Sequence, residues 1–117
     1  MKFIRPAKGY SNGVLASGQL LFVAGQIGTP GGFVEQFGRA LDAILEIVRE
    51  AGGKPEHLAR FTIYVSDKVE YTANLRDVGR AYRERMGKHF PAMALVEVKS
   101  LLEPGAKVEI EATAVIP

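Results

Sequence analysis

Few side chains in this 117-residue sequence are suited to chemistry, and each narrows the choice of function. Glu109 and Glu111 stand two apart in "KVEIEATAV". In a strand that spacing puts both carboxylates on one face. Like charges so placed repel unless they are solvated or paired. On an exposed face the pair serves solubility; lining a cleft, one carboxylate can orient a water or accept a proton. Tyr10 lies in "GYSNGV", ahead of an apolar strand. Gly25 interrupts "VAGQI", where a glycine marks a bulge or a close approach by another group. His57 and His89 share no metal-ligand spacing with carboxylates, which suits surface or capping roles. With no cysteine, disulfides, thiol nucleophiles and thiolate metal sites are excluded. "GTPGG" is followed by no Lys-Ser/Thr pair, and no GxSxG or HExxH pattern occurs.

These residues need elements to position them. "GVLASGQLLFVAGQIG" reads as two strands around a Ser17-Gly18 turn, and "GTPGG" as a loop. The period then changes. Phe37, Leu41, Ile44, Leu45 and Val48 share one helical face, and Gly52-Gly53 ends that helix. "RFTIYV" (60–65) is a β-branched and aromatic strand. Asp67 suits the N-cap region of a second helix, along which Leu75, Val78, Tyr82 and Met86 recur before Gly87. "AMALVEV" (92–98) is a strand and "EPGA" a turn. In the last strand Val108, Ile110, Ala112 and Ala114 face one way; Glu109, Glu111, Thr113 and Val115 face the other. "KFIRP" offers a further strand at the start.

The order predicts an α+β fold: a mixed sheet with two helices packed on one face, formed by one domain over residues 1–117. The uncovered sheet face predicts a homo-oligomer that stacks sheets together. Composition adds bounds. The chain is 47% hydrophobic and 24% charged, ordinary for a globular protein. Fifteen Lys+Arg against thirteen Asp+Glu leaves +2, too little to argue for nucleic acid or membrane. The densest basic cluster, "RDVGRAYRER", contains Asp77 and Glu84 and reads as a solvated helix face. The N-terminus has no signal-peptide core, and the most apolar stretch is short and broken by glycine, so a cytoplasmic location is expected.

Together, "YSNGV", "LLFVAGQIG", the helix ending in "AGG", "FTIYVSD", "FPAMALVEV" and "VEIEATAV" resemble the RidA (YjgF, endoribonuclease L-PSP) family, in its order and over nearly the whole chain. The resemblance implies a chorismate mutase-like fold and a homotrimer with small-molecule clefts between subunits. It implies hydrolysis of enamines and imines to 2-oxo acids and ammonia, with no cofactor and no metal. Tyr10 falls on the family's cleft tyrosine, and Gly25 on the strand glycine whose backbone approaches the ligand. Ala24 stands where many members have serine, and Glu109 on the carboxylate that positions water. After Phe-Pro-Ala the family usually has arginine and then Ser or Thr, where this chain has Met93 and Ala94. An arginine fork grips a carboxylate through two parallel bonds, whereas a thioether has no donor. Losing one partner of a desolvated charge pair costs ~2–5 kcal/mol. Lys99, Lys107 and Arg5 are the candidate replacement cations.

Three functions follow. The first is a RidA-like imine or enamine hydrolase with altered substrate, using Glu109 as catalytic residue and Tyr10, Ala24, Gly25, Met93 and Ala94 as the substrate-binding set. The second is a non-catalytic trimer that binds a small apolar metabolite. The third, ribonuclease or translation inhibitor, lacks the basic groove with stacking aromatics and the acid–base set it needs.

Overall fold

The computed structural model describes residues 1–117. Six strands form one mixed sheet: β1 (Lys2–Ala7), β2 (Tyr10–Leu15), β3 (Gln19–Ile27), β4 (Leu58–Val65), β5 (Ala92–Glu97) and β6 (Val108–Ile116). Their spatial order is β1-β2-β5-β4-β6-β3. The contacts β2–β5 and β4–β5 are parallel and the rest antiparallel. The expected N-terminal strand is present as β1. β2 and β3 flank the Ser17-Gly18 turn as read, but they do not pair. β2 joins β5, while β3 crosses to the far edge beside β6.

Helix α1 (Phe33–Glu50) buries Phe37, Leu41, Ile44 and Val48, as its period requires, and Phe33, Gln36 and Ala40 as well. Leu45 packs only partly against the core. The second predicted helix is divided into α2 (Lys68–Ala73) and α3 (Leu75–Met86) at Asn74. Asp67 Oδ1 caps α2 by accepting from Val69 N at 2.9 Å and Glu70 N at 3.3 Å. Gly87 ends α3 with φ 60°.

The helices cover one face of the sheet. There Phe61, Ile63 and Val65 of β4 and Val108, Ile110, Ala112 and Ala114 of β6 join the helix residues in one core. Burying a side chain such as Phe61 or Ile110 contributes about 1.5–3 kcal/mol. The other face has no covering layer. It carries Arg60, Thr62 and Tyr64 of β4, Glu109, Glu111 and Thr113 of β6, and the exposed Leu20, Phe22 and Val96. No helix is long and apolar enough to cross a membrane.

Two polar ties hold the loops. Gln36, buried in α1, donates from Nε2 to Gly31 O at 2.8 Å and Gly105 O at 3.1 Å. Its Oε1 accepts from Lys107 N at 2.8 Å. One side chain thereby joins the loop after β3 to the turn before β6. At the other edge Ser11, also buried, donates from Oγ to Phe90 O at 2.7 Å and fastens the β1–β2 hairpin to β5.

Candidate functional site

The last strand places its carboxylates as the alternation requires. Glu109 and Glu111 lie on the open face, both half-buried, opposite Tyr64 and Thr62 of β4. The Tyr64 hydroxyl donates to Glu111 Oε2 at 2.9 Å. That bond, helped by desolvation and the nearby negative charge, raises the Tyr64 hydroxyl above its ordinary value of 10.0. Glu111 is thus engaged within the sheet. Glu109 makes no side-chain hydrogen bond within the chain, and its charge adds to the shift of Tyr64.

Glu109 instead lies against Gly25. The β3–β6 register slips between Val23 and Gln26, so Ala24 and Gly25 form a bulge. A Cβ on Gly25 would stand 2.7 Å from Glu109 Cδ and 3.0 Å from Cγ, with Oε2 closer still. Glycine here makes room for a carboxylate over the backbone. Ala24 and Gly25 are both exposed, so this corner opens to whatever meets the sheet edge.

The remaining predicted residues lie elsewhere. Met93 pairs with Phe61 and so points to the helix side, where it packs partly against the core. Ala94 pairs with Thr62 and shares the open face with the carboxylates. Met93 and Ala94 therefore lie on opposite faces of the sheet. Tyr10, at the start of β2, joins Met93 in a groove of about 720 Å³ between α2–α3 and the outer edge of β5. The structure brings Gly25, Ala24 and Glu109 together, and separately Tyr10 and Met93. Within one chain it does not bring the two groups into one pocket.

The groove exists because the hairpin leaves β5 early. Only Ser11 and Ala92 pair between β2 and β5, so the outer edge of β5 beyond Ala92 lacks a partner strand. Phe37, Ile63, Val78, Phe90 and Leu95 line the apolar part. The cations named from the sequence do not. Lys107 Nζ pairs with Glu70 Oε2 at 2.9 Å, Lys99 follows β5, and Arg5 sits in β1 with φ 46°. Lys8 and Arg83, neither among the cations named from the sequence, line the groove instead. Helical spacing could have flagged Arg83, which is one turn beyond Gly79 on the flank of the Val78–Tyr82 stripe.

Both histidines serve structure. His57 Nδ1 accepts from Lys54 N at 3.0 Å as a cap. His89 is half-buried, with Nε2 2.7 Å from Leu58 O. No group of three or more His, Cys, Asp or Glu side chains is arranged to hold a metal ion.

A family profile described as endoribonuclease L-PSP matches residues 2–116. A 2-iminobutanoate/2-iminopropanoate deaminase of Capra hircus is 33% identical over 114 residues, covering 91% of this chain and 79% of that protein. Among solved structures, a YjgF-family protein of Mycobacterium tuberculosis has a TM-score of 0.73 at 33% identity, with 98% of each chain covered. E. coli TdcF with bound serine has a TM-score of 0.73 at 25% identity, covering 92% of this chain and 88% of that one.

Proposed function

The chain belongs to the endoribonuclease L-PSP (RidA, YjgF) family, and from that premise we propose that it is an imine-hydrolysing deaminase of altered substrate range, assembled as a homotrimer. The Glu109 carboxylate laid over the Gly25 backbone supports this reading most directly. Water attacks the C=N carbon of an imine, and the π electrons move to nitrogen. Glu109 takes one water proton and passes it to nitrogen, giving a carbinolamine, and then relays the hydroxyl proton to the amine. The C–N bond then breaks, ammonia leaves, and a carbonyl remains. Backbone groups at the Ala24–Gly25 bulge bind an oxygen of the substrate.

The trimer completes the site. In this reading, Glu109 and Gly25 of one copy face Tyr10 and Met93 of the next across a cleft. Leu20, Phe22 and Val96, exposed on the open face of a lone chain, become buried between copies. Met93 removes the fork that would hold a small carboxylate, and Ala94 removes a hydroxyl on the other face. Deamination of the smallest 2-imino acids is therefore weak.

The test generates imines in situ by oxidising the matching amino acids and follows 2-oxo acid release. Wild type should exceed Glu109→Gln by about 10²–10⁴-fold on its best substrate. Equal rates for the two would end the hydrolase reading. One observation favours a binding protein instead: the groove beside Met93 is predominantly apolar. That reading requires ligand affinity in both forms and turnover in neither. The RNA reading draws no support from α3, where Arg80 and Arg85 pair with Asp77 and Asp42.

A further inference from the structure

The groove behind Met93 is larger than a two- or three-carbon acid requires. Its volume of about 720 Å³ falls in the range of sites for drug-sized ligands. Aromatic rings dominate its wall: Tyr10, Phe37, Tyr71, Tyr82 and Phe90. Tyr82 and Phe90 stack nearly parallel with centroids 5.3 Å apart, which fixes both rings in the wall.

Two cations, Lys8 and Arg83, stand on the same groove, and neither takes part in an ion pair. Arg80 and Arg85 of the same helix do, so Arg83 is the α3 arginine near the groove that is left without a carboxylate. It also lies over a glycine. A Cβ on Gly79 would stand 3.1 Å from Arg83 Nη1 and 3.9 Å from its guanidinium carbon Cζ. Glycine inside a helix costs stability relative to alanine. Here it leaves room for the guanidinium one turn on, and both residues line the groove.

We propose that this groove selects 2-imino acids with a large aromatic or aliphatic side chain, and that Arg83, assisted by Lys8, holds their carboxylate in place of an arginine at position 93. Arg83 is a specificity-determining residue in this assignment. The apolar body lies against the ring wall, and the anionic head meets the two cations. The assignment rests on the imine-hydrolase reading for its reactive group, but not for its binding chemistry.

Binding and turnover therefore separate the two. Titration of the ¹⁵N-labelled protein with 3-phenylpropanoate and with propanoate reads the groove without any reaction. 3-Phenylpropanoate should bind at least tenfold more tightly, with shifts at Leu75, Gly79 and Leu95. Arg83→Gln, at an exposed position, should weaken it about tenfold or more. It should affect the neutral 3-phenylpropanamide little. Gly79→Ala should raise Tm while weakening 3-phenylpropanoate, a combination a merely structural role would not produce. In turnover, imine from phenylalanine should be preferred over imine from alanine, and Arg83→Gln should raise KM for the former. Equal affinity for the two acids, or unchanged affinity in Arg83→Gln, would overturn the assignment even if small imines are hydrolysed. Tight, Arg83-dependent binding with no hydrolysis of any imine would sustain the groove and remove the enzymatic reading.

Discussion

Replacing Gly25 with alanine tests the contact on which the site is built. The new methyl would lie 2.7 Å from Glu109 Cδ and 3.0 Å from Cγ. Relaxed carbon–carbon contacts are about 3.5–4.0 Å, so the overlap is roughly 0.5–1.3 Å. Moving only the carboxylate tip is not enough, because Cγ is itself too near. The side chain must rotate about its first torsion and leave the bulge. Overpacking of this kind costs about 1–3 kcal/mol, while the restricted unfolded chain returns about 0.4–1 kcal/mol. A net loss of ~1–2 kcal/mol is expected. For a chain of this length that lowers Tm by roughly 4–8 °C. The assay is calorimetry at fixed protein concentration on four proteins: wild type, Gly25→Ala, Glu109→Ala and the double variant. Once Glu109 is shortened to alanine the clash is gone, so Gly25→Ala should be neutral or slightly stabilising in that background. The coupling should be about 1–3 kcal/mol. Gly25→Ala should also lower imine turnover by about 10²-fold or more, because the displaced carboxylate no longer meets water. The same Tm change in both backgrounds would refute the contact, whatever happens to activity.

Other consequences are open to equally direct measurement. Gln36→Leu leaves Gly31 O, Gly105 O and Lys107 N without their partner and should cost ~2–5 kcal/mol by urea denaturation, given ~1–3 kcal/mol for an orphaned buried group. Phe22→Glu places a charge on the uncovered face where Phe22 is 74% exposed, and light scattering should show the assembly reduced to single chains. Burial raises the Tyr82 hydroxyl far above its ordinary 10.0, and that hydroxyl donates to His89 O at 2.7 Å. The folded state then holds this proton more tightly than the unfolded one, so stability should fall as pH rises above about 10. Tyr82→Phe should flatten that alkaline slope in a Tm-against-pH series, at a cost near 1 kcal/mol at neutral pH. Glu70→Gln, which breaks the partly exposed pair with Lys107, should cost under about 1 kcal/mol and less in high salt.

Much was legible in the chain because it is local. The alternation of Val108, Ile110, Ala112 and Ala114 against Glu109, Glu111 and Thr113 set the two faces of β6 before any partner strand was known. The stripe Phe37, Leu41, Ile44 and Val48 marked α1, and the glycine inside an apolar run marked a bulge or a close neighbour, of which the structure has both. Asp67 and Gly87 announced the ends of the second helical region, though not its division at Asn74.

The pairing of distant segments was decided by the tertiary structure alone. β2 and β3 are joined by a short turn yet stand apart in the sheet, because β5, β4 and β6 intervene. Gln36 gave no sign of burial, since its partners Gly105 and Lys107 lie about seventy residues onward. Met93 and Ala94 are neighbours in sequence, but the pleat sends them to opposite faces. The cations at the groove are Lys8 and Arg83 because a hairpin and a helix converge on the free edge of β5. Periodicity and turn chemistry act over a few residues and are written in the chain. A pocket is made by elements far apart along it, and only folding brings them together.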